Sequence, residues 1–213
     1  MNDHSDHDLP DWGPLVLAHA HGRAWVALDA LIRLDQRMAR IVATATEPAL
    51  AQIRMAWWRE EVGKERPVNS RPPPDPLLAD LQVAWAGHSS SLVGLIDGWE
   101  ALLDDRPWAE EAREQFASGR EGAFSGFARL ASRQYAADAA GEHGRCWALA
   151  DLSTMDADGS PHSIPALPRL PSELRSLAVI GGLSRRALKR GGRPLFGDRL
   201  SPFAALRLGI FGT

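Results

Sequence analysis

Cysteine is nearly absent from this chain of 213 residues: Cys146 stands alone, so no internal disulfide can form, and a reducing, cytoplasmic compartment is the expectation. The first residues, Met1-Asn-Asp-His-Ser-Asp-His-Asp8, lack the basic start and apolar run of a secretory leader. Long hydrophobic runs are missing too. Leu177 to Leu183 is the longest strictly apolar stretch near the C-terminus, far short of the roughly 20 residues that span a bilayer. Strand formers are scarce, with 15 valines and isoleucines against 33 alanines and 27 leucines, and that balance predicts an all-α chain. Several familiar site signatures are absent: a phosphate-cradling Gly-rich loop ending in Gly-Lys-Ser/Thr, His-Glu-x-x-His, Cys-x-x-Cys and Gly-x-Ser-x-Gly.

The charge is unevenly placed. Residues 1–11 carry Asp3, Asp6, Asp8 and Asp11 with no Lys or Arg, whereas residues 169–213 carry nine basic residues against Glu173 and Asp198. A solvated helix face is the commoner reason for such a basic end, and an anionic membrane surface is the other. The net charge of −3 and the absence of a recognition motif argue against nucleic acid as a partner. His4 and His7 lie in the acidic tail without a scaffold to fix a metal, and His19 and His21, two residues apart, do not share a helix face.

Apolar periodicity places the helices. Ala24, Leu28, Leu31, Asp35, Met38 and Val42 recur at spacings of four and three, with Asp35 the one charged member of the stripe. Glu47-Pro48 ends that helix and opens a second reaching Gly63. Further helices are predicted over Leu77 to Ala86, from an N-cap among Ser89 to Ser91 through Leu103, and from Trp108 towards Tyr135 with Phe116, Ala123, Phe127 and Leu130 inward. Gly119, Gly122 and Gly126 suggest close helix approach, while Gly141 to Gly144 reads as a break before a short helix carrying Trp147. The expected division is an acidic disordered tail (1–13), a helical bundle (14–155), a Pro-rich loop (156–171) and basic C-terminal helices (172–213).

The segment Glu47-Pro48-Ala-Leu-Ala-Gln-Ile-Arg-Met-Ala-Trp-Trp-Arg-Glu-Glu-Val62 resembles the second-helix signature of the squalene/phytoene synthase family. Arg23 to Arg33 is similar to the family's first helix, Leu95 to Leu103 adds support, and Gly144 to Leu152 adds less; the likeness covers about residues 15–155. It implies an isoprenoid synthase-like helical bundle, shortened at the C-terminus, with a deep cavity for two prenyl diphosphates. The family's chemistry uses two Asp-x-x-x-Asp motifs that hold magnesium, because carboxylates four residues apart share a helix face and hard cations take oxygen ligands. Here Gln36 and Arg40 fall at the first pair, with Asp35 one position off, and Asp156 and Asp158 stand near the second at the wrong spacing.

The resemblance therefore points to the family's divergent branch, which includes a mitochondrial complex I assembly factor and keeps the bundle without the metal motifs. The expectation is a non-catalytic binding or assembly protein with no cofactor and no metal site. The alternative is an active prenyltransferase that condenses two prenyl diphosphates head to head with Mg2+ in isoprenoid biosynthesis. Asp35 and Arg33 are the candidate catalytic residues, and Arg54, Arg59 and Trp58 the candidate substrate-binding ones. Each of these charged residues has a competing reading as an interhelical ion pair. Within α-helical geometry Arg54 is placed to stack on Trp58, and Arg59 to pair loosely with Glu60 or Glu61. A prenyl diphosphate or isoprenoid lipid, a protein partner and a peripheral membrane contact through the basic C-terminus, where Arg185, Arg186, Lys189, Arg190 and Arg193 cluster, are the expected partners.

Overall fold

A computed structural model describes residues 9–64, 73, 75–104, 106–155, 164–191, 195 and 201–211, except the side chains of 201, 210 and 211. Those residues are all-α. In order come α1 (Gly13–Leu17), α2 (Gly22–Ala43), α3 (Pro48–Gly63), α4 (Pro76–Ala84), α5 (Ser89–Glu100), α6 (Glu110–Leu130), α7 (Ala137–Met155), α8 (Arg175–Leu188) and α9 (Ser201–Phe211). No helix among the described residues is long and apolar enough to cross a membrane.

The periodic stripes become the core. Leu28, Leu31, Asp35 and Met38 of α2 are buried, as are Leu92, Leu95, Ile96 and Trp99 of α5 and Phe116, Ala123 and Phe127 of α6. Proline opens α3 and α4 where its fixed φ suits a first helical position. Asp75 caps α4, its Oδ1 accepting from the Leu77 and Leu78 amides at 2.8 and 3.4 Å. For α5 the capping position falls to His88, one residue before the expected serines, and no side chain caps it.

Helix α6 runs between α5 and α7; α8 packs on α7, and α9 on α8. Glycine makes both faces of α6 close. A Cβ on Gly119 would stand 2.6 Å from the Gly94 carbonyl oxygen of α5, and one on Gly144 of α7 would collide with the Arg120 carbonyl of α6. Gly122, by contrast, faces open space, so only Gly119 and Gly126 of the three expected contacts are close approaches. The predicted break at Gly141 to Gly144 is also overturned. Helix α7 is continuous there, because these glycines and Ala137, Ala140 and Ala148 form a buried small-residue face on which α6 rests.

One boundary shifts, and one loop is anchored. The acidic tail does not extend to residue 13: Trp12 is buried, edge-on to Trp147 with ring centroids 5.7 Å apart, and Gly13 already starts α1. Within the Pro-rich loop, Leu170 is buried and the Pro168 carbonyl is bound by His143. His4, His7, Asp156, Asp158 and Arg193 lie outside the described residues.

Candidate functional site

The centre of the bundle holds a charge cluster built by two exceptions to apolar stripes. On α2 the exception is Asp35; on α6 it is Arg120, four residues after Phe116 and four before Phe124. Both are essentially inaccessible, at 0% and 1%. Arg120 clasps Asp35 with two parallel bonds, Nε to Oδ1 at 3.0 Å and Nη2 to Oδ2 at 2.9 Å. Such a fork is among the stronger hydrogen-bond arrangements. The Trp99 indole N–H donates a third bond to Asp35 Oδ1 at 2.9 Å.

Arg120 also reaches α7. Its Nη1 donates to Asp151 Oδ2 at 2.6 Å and to the Trp147 carbonyl at 3.4 Å. The guanidinium lies 3.7 Å from the Trp147 ring centroid and 4.7 Å from that of Phe116, a desolvated cation–π arrangement. Burial pushes the Asp35 carboxyl upward from its ordinary range, opposed by Arg120 and Trp99. Burial works against the Arg120 charge too, but the Asp35 and Asp151 carboxylates outweigh it and hold the guanidinium above its ordinary value.

The other candidates do not converge on this cluster. Arg33 is two residues from Asp35 but on another side of α2, where its Nε bonds Asp29 at 2.9 Å and its Nη2 bonds Asp80 of α4 at 2.6 Å. Burial raises Asp29, against the pull of Arg33. Arg59 pairs not with Glu60 or Glu61 but with Asp97, at 2.5 Å, and with Glu100, both on α5. Its neighbours along α3 lose because Asp97 and Glu100 face it across the α3–α5 contact. Arg54 is exposed, and the cation over the Trp58 ring is Arg37, 5.6 Å from its centroid. Arg37 in turn bonds Asp75 at 3.2 Å. Trp58 is buried, whereas its neighbour Trp57 is 40% exposed. Arg33, Arg37 and Arg59 are thus rungs between helices.

A magnesium ion does not fit these residues. A hard cation needs several oxygens with lone pairs to spare, and both oxygens of Asp35 are taken by N–H donors. Asp35 and Asp151 do face one point from two helices, but the Arg120 guanidinium occupies it. Gln36 is partly buried and Arg40 exposed on the same helix. Among the described residues no three His, Cys, Asp or Glu side chains gather as a metal site would require.

Sequence reasoning missed Arg120, although its signal was present. A charge in the stripe that carries Phe116, Ala123 and Phe127 calls for an opposite charge in a facing stripe, and Asp35 is that residue. Compared with protein-family models, curated proteins and solved structures, the chain matches none.

Proposed function

We propose that this chain is a non-catalytic helical protein of squalene/phytoene synthase-like build that acts by binding or assembly. One observation carries the reading: the carboxylate nearest the position of the family's first metal ligand is sealed in an ion pair with Arg120. An arginine in that place supplies for structure the positive charge that magnesium would supply for catalysis. The rings of Trp99, Phe116 and Trp147 close around the pair. On this reading an isoprenoid lipid or a protein is held without turnover. The protein is cytoplasmic, with its basic C-terminal helices turned to an anionic membrane surface; Arg185, Arg186 and Lys189 at the end of α8 support that placement.

The test is release of pyrophosphate from 15- and 20-carbon prenyl diphosphates by the full chain, with and without magnesium. No release above the protein-free rate is expected. Magnesium-dependent turnover that Asp35→Asn abolishes, with the fold retained, overturns the reading.

A further inference from the structure

Between α8, α9 and the loop leading into α8 lies a cavity of about 340 Å³, within the roughly 300–1,000 Å³ range of small-molecule sites. Arg169 of the loop, Arg185, Arg186 and Lys189 at the end of α8, and Arg207 of α9 all line it. None of its described lining residues is acidic. Ala178, Ala204 and Leu208 give the cavity an apolar wall. A solvated basic helix face points its cations outward and apart. Here Arg169, Arg185, Lys189 and Arg207 come from three separate segments to one concave, partly apolar space, where a bound anion relieves the repulsion among them.

The walls are formed in advance. Gly182 of α8 lets Leu208 of α9 approach to where a Cβ would stand only 2.5 Å away. On the other side His143 fixes the loop, its Nε2 2.9 Å from the Pro168 carbonyl. That contact places the ring proton on Nε2, and burial holds the imidazole below its ordinary pKa, so the histidine adds no charge. Phe203 and Leu206 are exposed on α9, the helix that carries Arg207.

We propose that this cavity binds a phosphate group carried on an apolar chain. Arginine forks match the several terminal oxygens of a phosphate, and the apolar wall takes the first carbons behind it. The site shares no residue with the Asp35–Arg120 cluster, so it stands or falls separately from the non-catalytic reading; it shares Arg185, Arg186 and Lys189 with the membrane-facing placement, which the vesicle arm tests on its own.

Calorimetric titration of the full chain with octyl phosphate tests it, with inorganic phosphate, octyl glucoside and vesicles of phosphatidic acid or phosphatidylcholine as parallel arms. Lys189 and Arg207 are exposed, so Lys189→Gln with Arg207→Gln leaves the fold intact. At roughly fivefold per cation, the double variant binds octyl phosphate about 25-fold more weakly. Ala204→Phe, which fills the cavity without changing charge, also weakens binding, and Arg129→Gln on α6 does not. Retention on phosphatidic acid vesicles that the double variant loses identifies a membrane headgroup as the source. Binding of octyl phosphate without vesicle retention identifies a soluble amphiphile; either supports the site. Octyl phosphate binding no tighter than octyl glucoside or inorganic phosphate, or undiminished in the double variant, overturns it.

Discussion

Arg120 and Arg59 hold the same kind of position in different solvents. Each takes two carboxylates from other helices, Asp35 of α2 and Asp151 of α7 in one case, Asp97 and Glu100 of α5 in the other. Arg120 and Asp35 are 1% and 0% exposed, whereas Arg59 and Asp97 are 34% and 37% exposed. Water stands ready to replace any partner Arg59 loses, and nothing stands ready for Arg120. An arginine–carboxylate pair is therefore a weak clue to function by itself, and burial decides how strongly the fold depends on it.

Breaking the buried node is the largest expected effect. Asp35→Asn or Arg120→Met leaves one charge in the core with a deficient partner set, which costs about 3–5 kcal/mol. Replacing both, Asp35→Leu with Arg120→Met, recovers part of the loss, because no charge is left at the sealed centre; Asp151, 27% exposed, turns to water, while the Trp99 N–H is left without its acceptor. Urea denaturation of these variants and of Asp35→Leu alone, which closes the cycle with Arg120→Met, checks this. A double variant as unstable as the sum of the singles would show that the pair is not coupled.

The packing around that node comes next. Gly144 abuts the Arg120 backbone and the Phe124 ring, so Gly144→Ala forces α6 and α7 apart. Overpacking of this kind costs about 1–3 kcal/mol, even though alanine favours helix by about 1 kcal/mol at an exposed position. Gly122→Ala, with open space at its Cβ, carries only the propensity term and is expected to stabilise. A melting comparison of the two variants separates packing from propensity within one helix pair.

Most of the helical layout was legible because stripes at spacings of three and four need only local geometry. Leu28, Leu31 and Met38 in α2, and Leu92, Leu95, Ile96 and Trp99 in α5, went where that spacing put them. Glu47-Pro48 worked as a boundary for the same reason. What depended on a distant partner was not legible. Gly141 and Gly144 read as a break until α6 supplied the surface they press against. Trp12 looked like part of a tail until Trp147 covered it. Asp35 stands out in its stripe from sequence alone and suggests a chemical role, but its partner lies 85 positions away.

His143 gives a pH-dependent version of the contrast between buried and exposed charge. Burial lowers its pKa below the usual histidine value of 6.5, while the Pro168 carbonyl opposes the shift. In the unfolded chain the same ring titrates normally. Between the two pKa values the unfolded state binds more protons, so the contribution is present above 6.5 and is lost as pH falls towards the folded pKa. The slope from this one group cannot exceed about 1.4 kcal/mol per pH unit. His143→Gln, which keeps a donor for Pro168, removes that part of the slope between pH 5 and 7. Equal slopes in the two proteins would place the acid sensitivity elsewhere, for example at His19, which burial, with Arg175 and His21, also holds low.

The smallest effect belongs to the exposed node, and it sharpens the opening contrast because salt distinguishes the two. Arg59→Gln removes two ion pairs at once, but both partners turn to water, so the expected cost is about 0.2–1 kcal/mol. At 1 M salt, where screening acts within roughly 3 Å, that difference shrinks towards zero. The cost of Asp35→Asn persists under the same conditions, since no salt ion reaches a pair sealed by Trp99, Phe116 and Trp147. Denaturation curves for both variants at low and high salt measure this. If Arg59→Gln were as costly as Asp35→Asn and equally indifferent to salt, the α3–α5 node would be as dry as the core, and exposure would not be what separates the two arginines.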